Sequence, residues 1–352
     1  MDETDVRERL RAVEDPDLGD DVVSLGLVND VTVEGDTIHI SLALGAPYSP
    51  NETAIANDVR SVLDDVDYEI DLSADIETGV SDDEAILPGV ENIIAVASGK
   101  GGVGKSTVAV NLAAGLADRG ANVGLFDADV YGPNVPQMLG ADADPDVTTV
   151  DGEDRIEPPT AHGLTLMSVG LLIDDDDPVV WRGPVAQNTL TDLFEDVSWG
   201  SLDYLVVDLP PGTGDVQLTV LQNLPVTGTV VVTTPQSVAV GDTRRGVQMF
   251  GEYQTNVLGV VENMSGFVCP GCGDAHDIFG EDGGRTLADE VDVPYLGSLP
   301  LDPAIRAGAD DGEPIVSGDG DTAAAFQELA AAVADKVGVL RRHHQQQRQA
   351  PD

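Results

Sequence analysis

The chain has 352 residues and a formal net charge of −47, from 64 acidic and 17 basic side chains, with 41% apolar and only 4% aromatic residues. That length suggests two domains, with cores built from Val, Leu, Ile and Ala rather than from rings. No basic stripe exists to displace counterions, so nucleic-acid binding by bulk electrostatics is excluded; the evenly spread acid reads as a halophilic surface, whose self-repulsion concentrated salt screens.

The N-terminus, M-D-E-T-D-V-R-E-R-L, has no basic segment followed by an apolar one, unlike a signal peptide. No apolar run approaches the ~18 residues of a membrane span. A cytoplasmic protein with no stable membrane association is expected. Residues 1–79 read as a small α+β domain. A helix is predicted at Glu3–Val13 and broken near Pro16, followed by the apolar stretch Val22–Val28. The alternating runs Asn29–Val33 and Thr37–Leu44 flank Glu34-Gly35-Asp36, which is a hairpin signal. A helix at Asn51–Leu63 and a strand near Tyr68–Leu72 complete it. Residues 80–88 are acidic and turn-rich and read as a linker.

The second domain is expected over 89–340. The segments Ile93–Ala97, Val123–Asp127, Leu164–Val169, Tyr204–Asp208, Gly228–Thr234, Val257–Asn263 and Tyr295–Leu299 are short, apolar and rich in β-branched residues. Such runs suit strands buried on both faces of a parallel sheet. The predicted fold class is therefore α/β, a mostly parallel doubly wound sheet with its site at the strands' C-terminal ends. A last helix, Asp321–Leu340, places Phe326, Leu329, Val333, Val337 and Leu340 on one stripe. It is expected to pack onto the sheet, and the tail 341–352 to be disordered.

The chemistry starts at Val96–Thr107, V-A-S-G-K-G-G-V-G-K-S-T. Gly99, Gly104, Lys105 and Ser106 satisfy the phosphate-loop pattern between a strand and a helix. In this loop Gly99, Lys100, Gly101, Gly102, Val103, Gly104, Lys105, Ser106 and Thr107 would surround phosphates with backbone N–H groups and a helix N-terminus. Lys105 would reach the outer phosphates and Ser106 would hold Mg²⁺. The chain has three lysines, and Lys100 and Lys105 are two of them. Lys100 is poorly placed for its own γ-phosphate. It could reach one bound by a second subunit, as an arginine finger does. Asp208 ends an apolar strand and is the expected second partner of Mg²⁺, mostly through water. Asp127 and Asp129 stand two apart where an apolar strand ends; Asp129 is the choice for orienting the attacking water, and helix capping is the alternative for both.

The cysteines, Cys269 and Cys272, form a C-P-G-C turn that can grip one metal or one edge of a cluster. A cubane cluster or structural zinc wants four ligands. The chain has no further cysteine and cannot fill that count alone with thiolates, whereas a two-fold dimer can; a redox dithiol or a zinc site is the alternative. His276 reads as a polar loop residue rather than a ligand.

The loop G-K-G-G-V-G-K-S-T resembles the deviant Walker A P-loop ATPases. D-A-D-V-Y-G-P-N-V-P (Asp127–Pro136), W-R-G-P (Trp181–Pro184), D-L-P-P-G-T-G-D (Asp208–Asp215), T-T-P-Q-S-V-A (Thr233–Ala239) and N-M-S-G-F-V-C-P-G-C-G (Asn263–Gly273) resemble its Mrp/ApbC family. The resemblance implies a homodimeric, slow ATPase that binds ATP and Mg²⁺. It also implies a transient [4Fe–4S] cluster bridging two subunits, taken from a cluster-assembly scaffold and passed to apo iron–sulfur proteins. Lys100 would act across the dimer, Asp129 would lie in the first switch and Asp208 in the second. Asn263, with Pro300–Asp302, would meet the adenine. Asp15–Val31 is similar to the MIP18-like domain, whose frequent loop cysteine is replaced here by Ser49. The alternative function is a partition or positioning ATPase of the ParA/MinD type, which would call for a basic dimer surface or cationic tail and has no need of C-P-G-C.

Overall fold

A computed structural model of the chain describes residues 1–74, 87, 89–150, 152–172, 183–212 and 214–349. Most of the expected linker, Trp181, Arg182 and Thr213 lie outside the described residues. The elements, in chain order, are α1 (Glu3–Leu10), β1 (Val28–Glu34), β2 (Thr37–Leu42), α2 (Pro50–Ser61), β3 (Glu69–Ala74), β4 (Val90–Ser98), α3 (Lys105–Asp118), β5 (Val123–Asp127) and α4 (Val135–Met138). Then come β6 (Asp146–Val150), β7 (Glu153–Glu157), β8 (Thr160–Ala161), β9 (Leu164–Ser168), α5 (Gly183–Asp196), β10 (Leu202–Asp208), α6 (Asp215–Asn223), β11 (Gly228–Thr233) and α7 (Ser237–Glu252). The chain closes with β12 (Val257–Glu262), β13 (Phe267–Val268), β14 (Ala275–His276), α8 (Gly283–Val291), β15 (Tyr295–Ser298), α9 (Pro303–Asp311) and α10 (Asp321–Gln349). The chain divides into two compact units, one of residues 1–81 with 331–352 and one of residues 82–330.

In the first unit, α1 starts at a capping box in which Asp2 and Asp5 each accept the other's backbone N–H, satisfying two otherwise unpaired donors. The predicted hairpin forms, with β1 antiparallel to β2 and Gly35 at φ +61° in its turn. The helix α2 carries the chain across to β3, which pairs with β2 in parallel. Alternate residues Ile38, Ile40 and Leu42 of β2 turn inward to meet Val6, Leu10, Leu27, Ile55 and Val59. Ser49, fully buried, caps α2 by accepting the Glu52 N–H at 3.2 Å and donates to Asp335 Oδ1 at 2.6 Å. The position where a cysteine was expected is thus spent on a helix cap and a carboxylate.

The tail departs from expectation. Instead of ending near Leu340 and leaving 341–352 disordered, α10 continues through Gln349. Arg342, in that tail, is fully buried. Its Nε lies 2.7 Å from Asp15 Oδ2, its Nη2 2.8 Å from Asp17 Oδ2 and its Nη1 2.7 Å from Glu52 Oε1. Burial raises the Glu52 carboxyl above its ordinary value, despite the Ala46 N–H and the Arg342 guanidinium that oppose the shift. A planar guanidinium with donors in a fixed fork suits three carboxylates better than an ammonium does, and these charges order a segment whose polar composition suggested none.

The second unit is built on an eight-stranded sheet in the order β15-β12-β11-β4-β10-β5-β9-β8. Its neighbours pair in parallel, except β8, which is antiparallel to β9. Each apolar segment predicted as a strand is a strand of this sheet. The strands β5 and β11 are buried at every residue, as expected where helices cover both faces. The short hairpins β6–β7 and β13–β14 were not foreseen; the two-residue strands β13 and β14 carry no periodicity to read. Gly115 of α3 lets Ala330 of α10 pack close, so the first part of the last helix does lie against the sheet's covering layer.

Candidate functional site

The site follows from strand register. At the end of β10, Asp208 pairs with Val96 of β4 on one side and with Asp127 of β5 on the other. The loop after β4 and the carboxylates ending β5 and β10 therefore meet at one edge, outside the strands' C-terminal ends, as open α/β sheets generally arrange. The loop needs its glycines. Gly102 and Gly104 have φ of +80° and +82°, a region L side chains rarely adopt. A Cβ at Gly99 would run into the Asp242 backbone, and one at Gly104 into the Asn263 amide.

Lys105 and Ser106 open α3. The Lys105 ammonium, 6% exposed, pairs with Asp208 Oδ1, and Asp208 is fully buried. Ser106 Oγ donates to Asp208 Oδ2 at 2.5 Å, and Lys105 Nζ lies 3.4 Å from Ser106 Oγ. A hydroxyl and a carboxylate held together this way are hard oxygen donors, the set Mg²⁺ prefers. Leu209 N–H donates to Val96 O at 3.0 Å and Gly212 N–H to Ser98 O at 2.9 Å, so the segment after Asp208 is tied to the strand that feeds the loop.

Asp127 is buried. It accepts from Ser168 Oγ at 3.0 Å, the Asp129 N–H at 3.1 Å and the Val135 N–H at 3.3 Å. Burial, and then the Asp208 charge, push its carboxyl from 3.8 up to about 7, against the Asp129 N–H, Lys105 and Ser168. Asp129 is half-buried and accepts the Tyr131 N–H at 3.3 Å. Burial raises its carboxyl too, Lys105 lowers it and Asp208 raises it. Both acids are within electrostatic reach of Lys105 and Asp208, and Asp127 is the in-register neighbour of Asp208, a closeness the sequence reading did not anticipate. An acid ending a buried strand beside another such strand was the available signal; the pairing of the two strands was not.

The Asp127 shift has a sign that can be measured. The unfolded carboxyl loses its proton near pH 4 and the folded one near 7. Between those values the folded state holds more protons, so this group's contribution to stability falls as pH rises. Asp127→Asn removes that contribution. Urea midpoints of the nucleotide-free variant, at fixed salt, should decline less than wild type between about pH 4 and 7; parallel curves would contradict the assignment.

Lys100 is half-buried, and among the described residues no carboxylate forms an ion pair with it. Asn263, at the end of β12, donates from Nδ2 to Val103 O at 2.8 Å and accepts the Met264 N–H at 2.9 Å. In this geometry its amide holds the phosphate loop.

Six residues beyond Asn263 comes Cys269. The hairpin β13–β14 presents the C-P-G-C turn, with the Cys269 N–H donating to Asp274 O at 2.9 Å and the Gly273 N–H to Cys269 O at 2.8 Å. Cys269 is half-buried and Cys272 exposed. The Gly271 N–H, then the Cys272 N–H and thiol, hold the Cys269 thiol below its ordinary range, which favours the thiolate that ligates metal. The sulfurs, open to solvent on a tight turn, can be shared with another molecule. Ligand atoms of Cys272, Asp274 and His276 all lie within 4.8 Å of one another, so the exposed His276 stands next to one of the two cysteines.

Residues 89–337 match the family described as NUBPL iron-transfer P-loop NTPase, and residues 3–71 match the iron–sulfur cluster assembly protein family. The iron–sulfur cluster carrier protein of Synechocystis sp. is 43% identical over 340 residues, covering 94% of this chain and 96% of that one. The protein of the same name from Deinococcus radiodurans is 44% identical, covering 94% of each. Among solved structures, a nucleotide-binding protein from Archaeoglobus fulgidus in complex with ADP is 36% identical with a TM-score of 0.57, over 66% of this chain and 92% of that one. The cell-division ATPase MinD of Pyrococcus furiosus is 25% identical with a TM-score of 0.52, over 69% and 98%. The positioning ATPases are thus distant relatives sharing the fold, and no helix among the described residues is long and apolar enough to cross a membrane. By its phosphate loop, its cysteine hairpin and its near full-length likeness to those carriers, the chain belongs to the NUBPL-type iron-transfer P-loop NTPases, the family of the iron–sulfur cluster carrier proteins.

Proposed function

We propose that the protein is a homodimeric carrier that binds and slowly hydrolyses MgATP to control its hold on a [4Fe–4S] cluster shared by two chains. It receives the cluster from an assembly scaffold and passes it to apo iron–sulfur proteins. The observation that carries this reading is the hydrogen bond from Asn263 to Val103 O. It ties the phosphate loop to the segment that runs on, within six residues, into Cys269. A phosphate that moves the loop therefore moves the base of the cysteine hairpin.

Lys105 exchanges Asp208 for the outer phosphates when ATP enters. Asp208, freed in this way, would hold Mg²⁺ with Ser106, mostly through water, and the ion would supply positive charge for the transferred phosphoryl group. Lys100 is the cation for the partner chain's nucleotide, Asp129 orients the attacking water, and the segment after Asp208 follows the γ-phosphate as a switch. Each chain presents the thiolates of Cys269 and Cys272, so two chains complete four. A site made of halves opens when the dimer does, which suits delivery. The acidic surface keeps such a dimer soluble where salt is concentrated.

The residue roles are tested by Asp129→Ala. It should bind ATP like wild type and turn over about 10²-fold more slowly, the usual scale for a lost proton-handling group. Unchanged phosphate release would take Asp129 out of the mechanism.

A further inference from the structure

We propose that the Cys269–His276 hairpin of a single chain is also a mononuclear site for a divalent cation of the zinc or ferrous class, held by Cys269, Cys272, Asp274 and His276. This goes beyond the shared cluster, because it needs one chain and two residues that the cluster does not use.

The hairpin turn, with Gly273 in the left-handed region at φ +78°, folds Cys272 back toward Asp274 and toward His276 on β14. Their ligand atoms already lie within 4.8 Å of one another, and all three side chains are exposed. Ligands around a tetrahedral zinc-class ion, bound at about 2.0–2.3 Å, stand roughly 3.5 Å apart. Small rotations of unpacked side chains close that difference. Cys269 stands outside that group of three; its sulfur faces the N–H groups of Gly271 and Cys272 and the Cys272 thiol, and joins as the fourth ligand by rotation. The backbone bonds Cys269 N–H to Asp274 O and Gly273 N–H to Cys269 O fix the frame.

The donor set decides the metal. Two thiolates and an imidazole suit zinc, ferrous iron and cobalt, whereas carboxylate and carbonyl oxygens suit magnesium and calcium. Four protein donors on one hairpin also make a closed, structural-type site. Mononuclear metal and shared cluster then compete for the same sulfurs. A chain without a partner holds one ion on four ligands, and a pair of chains gives up Asp274 and His276 to share the cluster.

The test uses the full chain, apo and anaerobic, titrated with Co²⁺ as the probe. Wild type should take up one Co²⁺ per chain, with thiolate charge-transfer and tetrahedral ligand-field bands. His276→Ala should bind Co²⁺ at least ~10-fold more weakly while still assembling a [4Fe–4S] cluster with iron and sulfide. One Co²⁺ per two chains, or equal affinity in His276→Ala and wild type, would overturn the inference. So would loss of both Co²⁺ and cluster in that variant, since His276 would then serve the shared site or the hairpin's fold. If wild type binds Co²⁺ as stated but never assembles a cluster, the shared-cluster reading fails and this one stands.

Discussion

Lys105→Ala is expected to lose ATP binding by a factor of ~10² or more and to destabilise the nucleotide-free protein as well. The two effects have one origin. The Lys105 ammonium is the counter-charge of the fully buried Asp208. Removing one partner of a buried pair leaves an uncompensated charge, at a cost of about 3–5 kcal/mol. The same ammonium is the cation that meets the outer phosphates, and 3–5 kcal/mol of lost binding corresponds to roughly 10²–10⁴ in affinity. The double variant Lys105→Ala/Asp208→Asn separates them. It should recover most of the stability, because the stranded carboxylate is gone, while ATP binding stays lost. Titration calorimetry and urea unfolding read the two quantities. A double variant no more stable than the single one would mean that Asp208 is compensated by something other than Lys105.

Arg342→Ala should be the most damaging substitution in the first unit. Three carboxylates converge on this one guanidinium, and Asp15 and Arg342 are both fully buried. The expected cost is again about 3–5 kcal/mol, borne by the unit that holds residues 1–81 and 331–352 rather than by the sheet. Hydrogen exchange should therefore show lost protection in β1, β2 and α2 with β4 and β10 unaffected. Adding Glu52→Gln should restore part of the loss, since Glu52 is the partner that burial already pushes toward the protonated form. Uniform protection in Arg342→Ala would show that the buried ion cluster contributes nothing to holding the end of α10.

The contrast between these two sites explains what the sequence made legible. The phosphate loop is local. Gly102, Gly104, Lys105 and Ser106 are adjacent in the chain, and backbone geometry with helix-terminus electrostatics fixes their meaning in place. The strands were legible for the same reason, since continuous apolar runs such as Val123–Asp127 announce burial without reference to partners. Arg342 and its carboxylates are separated by about three hundred residues, and nothing local says which charges will meet. A basic, glutamine-rich tail therefore read as solvated, whereas the helix continues through it and buries its arginine completely. The closeness of Asp127 to Asp208 escaped for a subtler reason. Its strand was correctly found, but its proximity to Asp208 comes from β10 lying between β4 and β5, an order that pattern alone does not give. His276 was set aside because a lone loop histidine is usually polar surface. The short strand after the cysteines, which brings its ring within 4.8 Å of the Asp274 and Cys272 ligand atoms, was too brief to be recognised.

Sulfur and nucleotide sites are joined in this account by the Asn263 amide, and the prediction that both are completed by a second chain is its central claim. It is tested most directly by anaerobic reconstitution with iron and sulfide, followed by iron and sulfide analysis per chain and by sizing. Wild type should bind four iron and four sulfide per two chains and elute as a dimer, and Cys269→Ser or Cys272→Ser should remove the cluster and its absorbance. Stoichiometric zinc that iron and sulfide cannot displace, or a full cluster on each single chain, would contradict it.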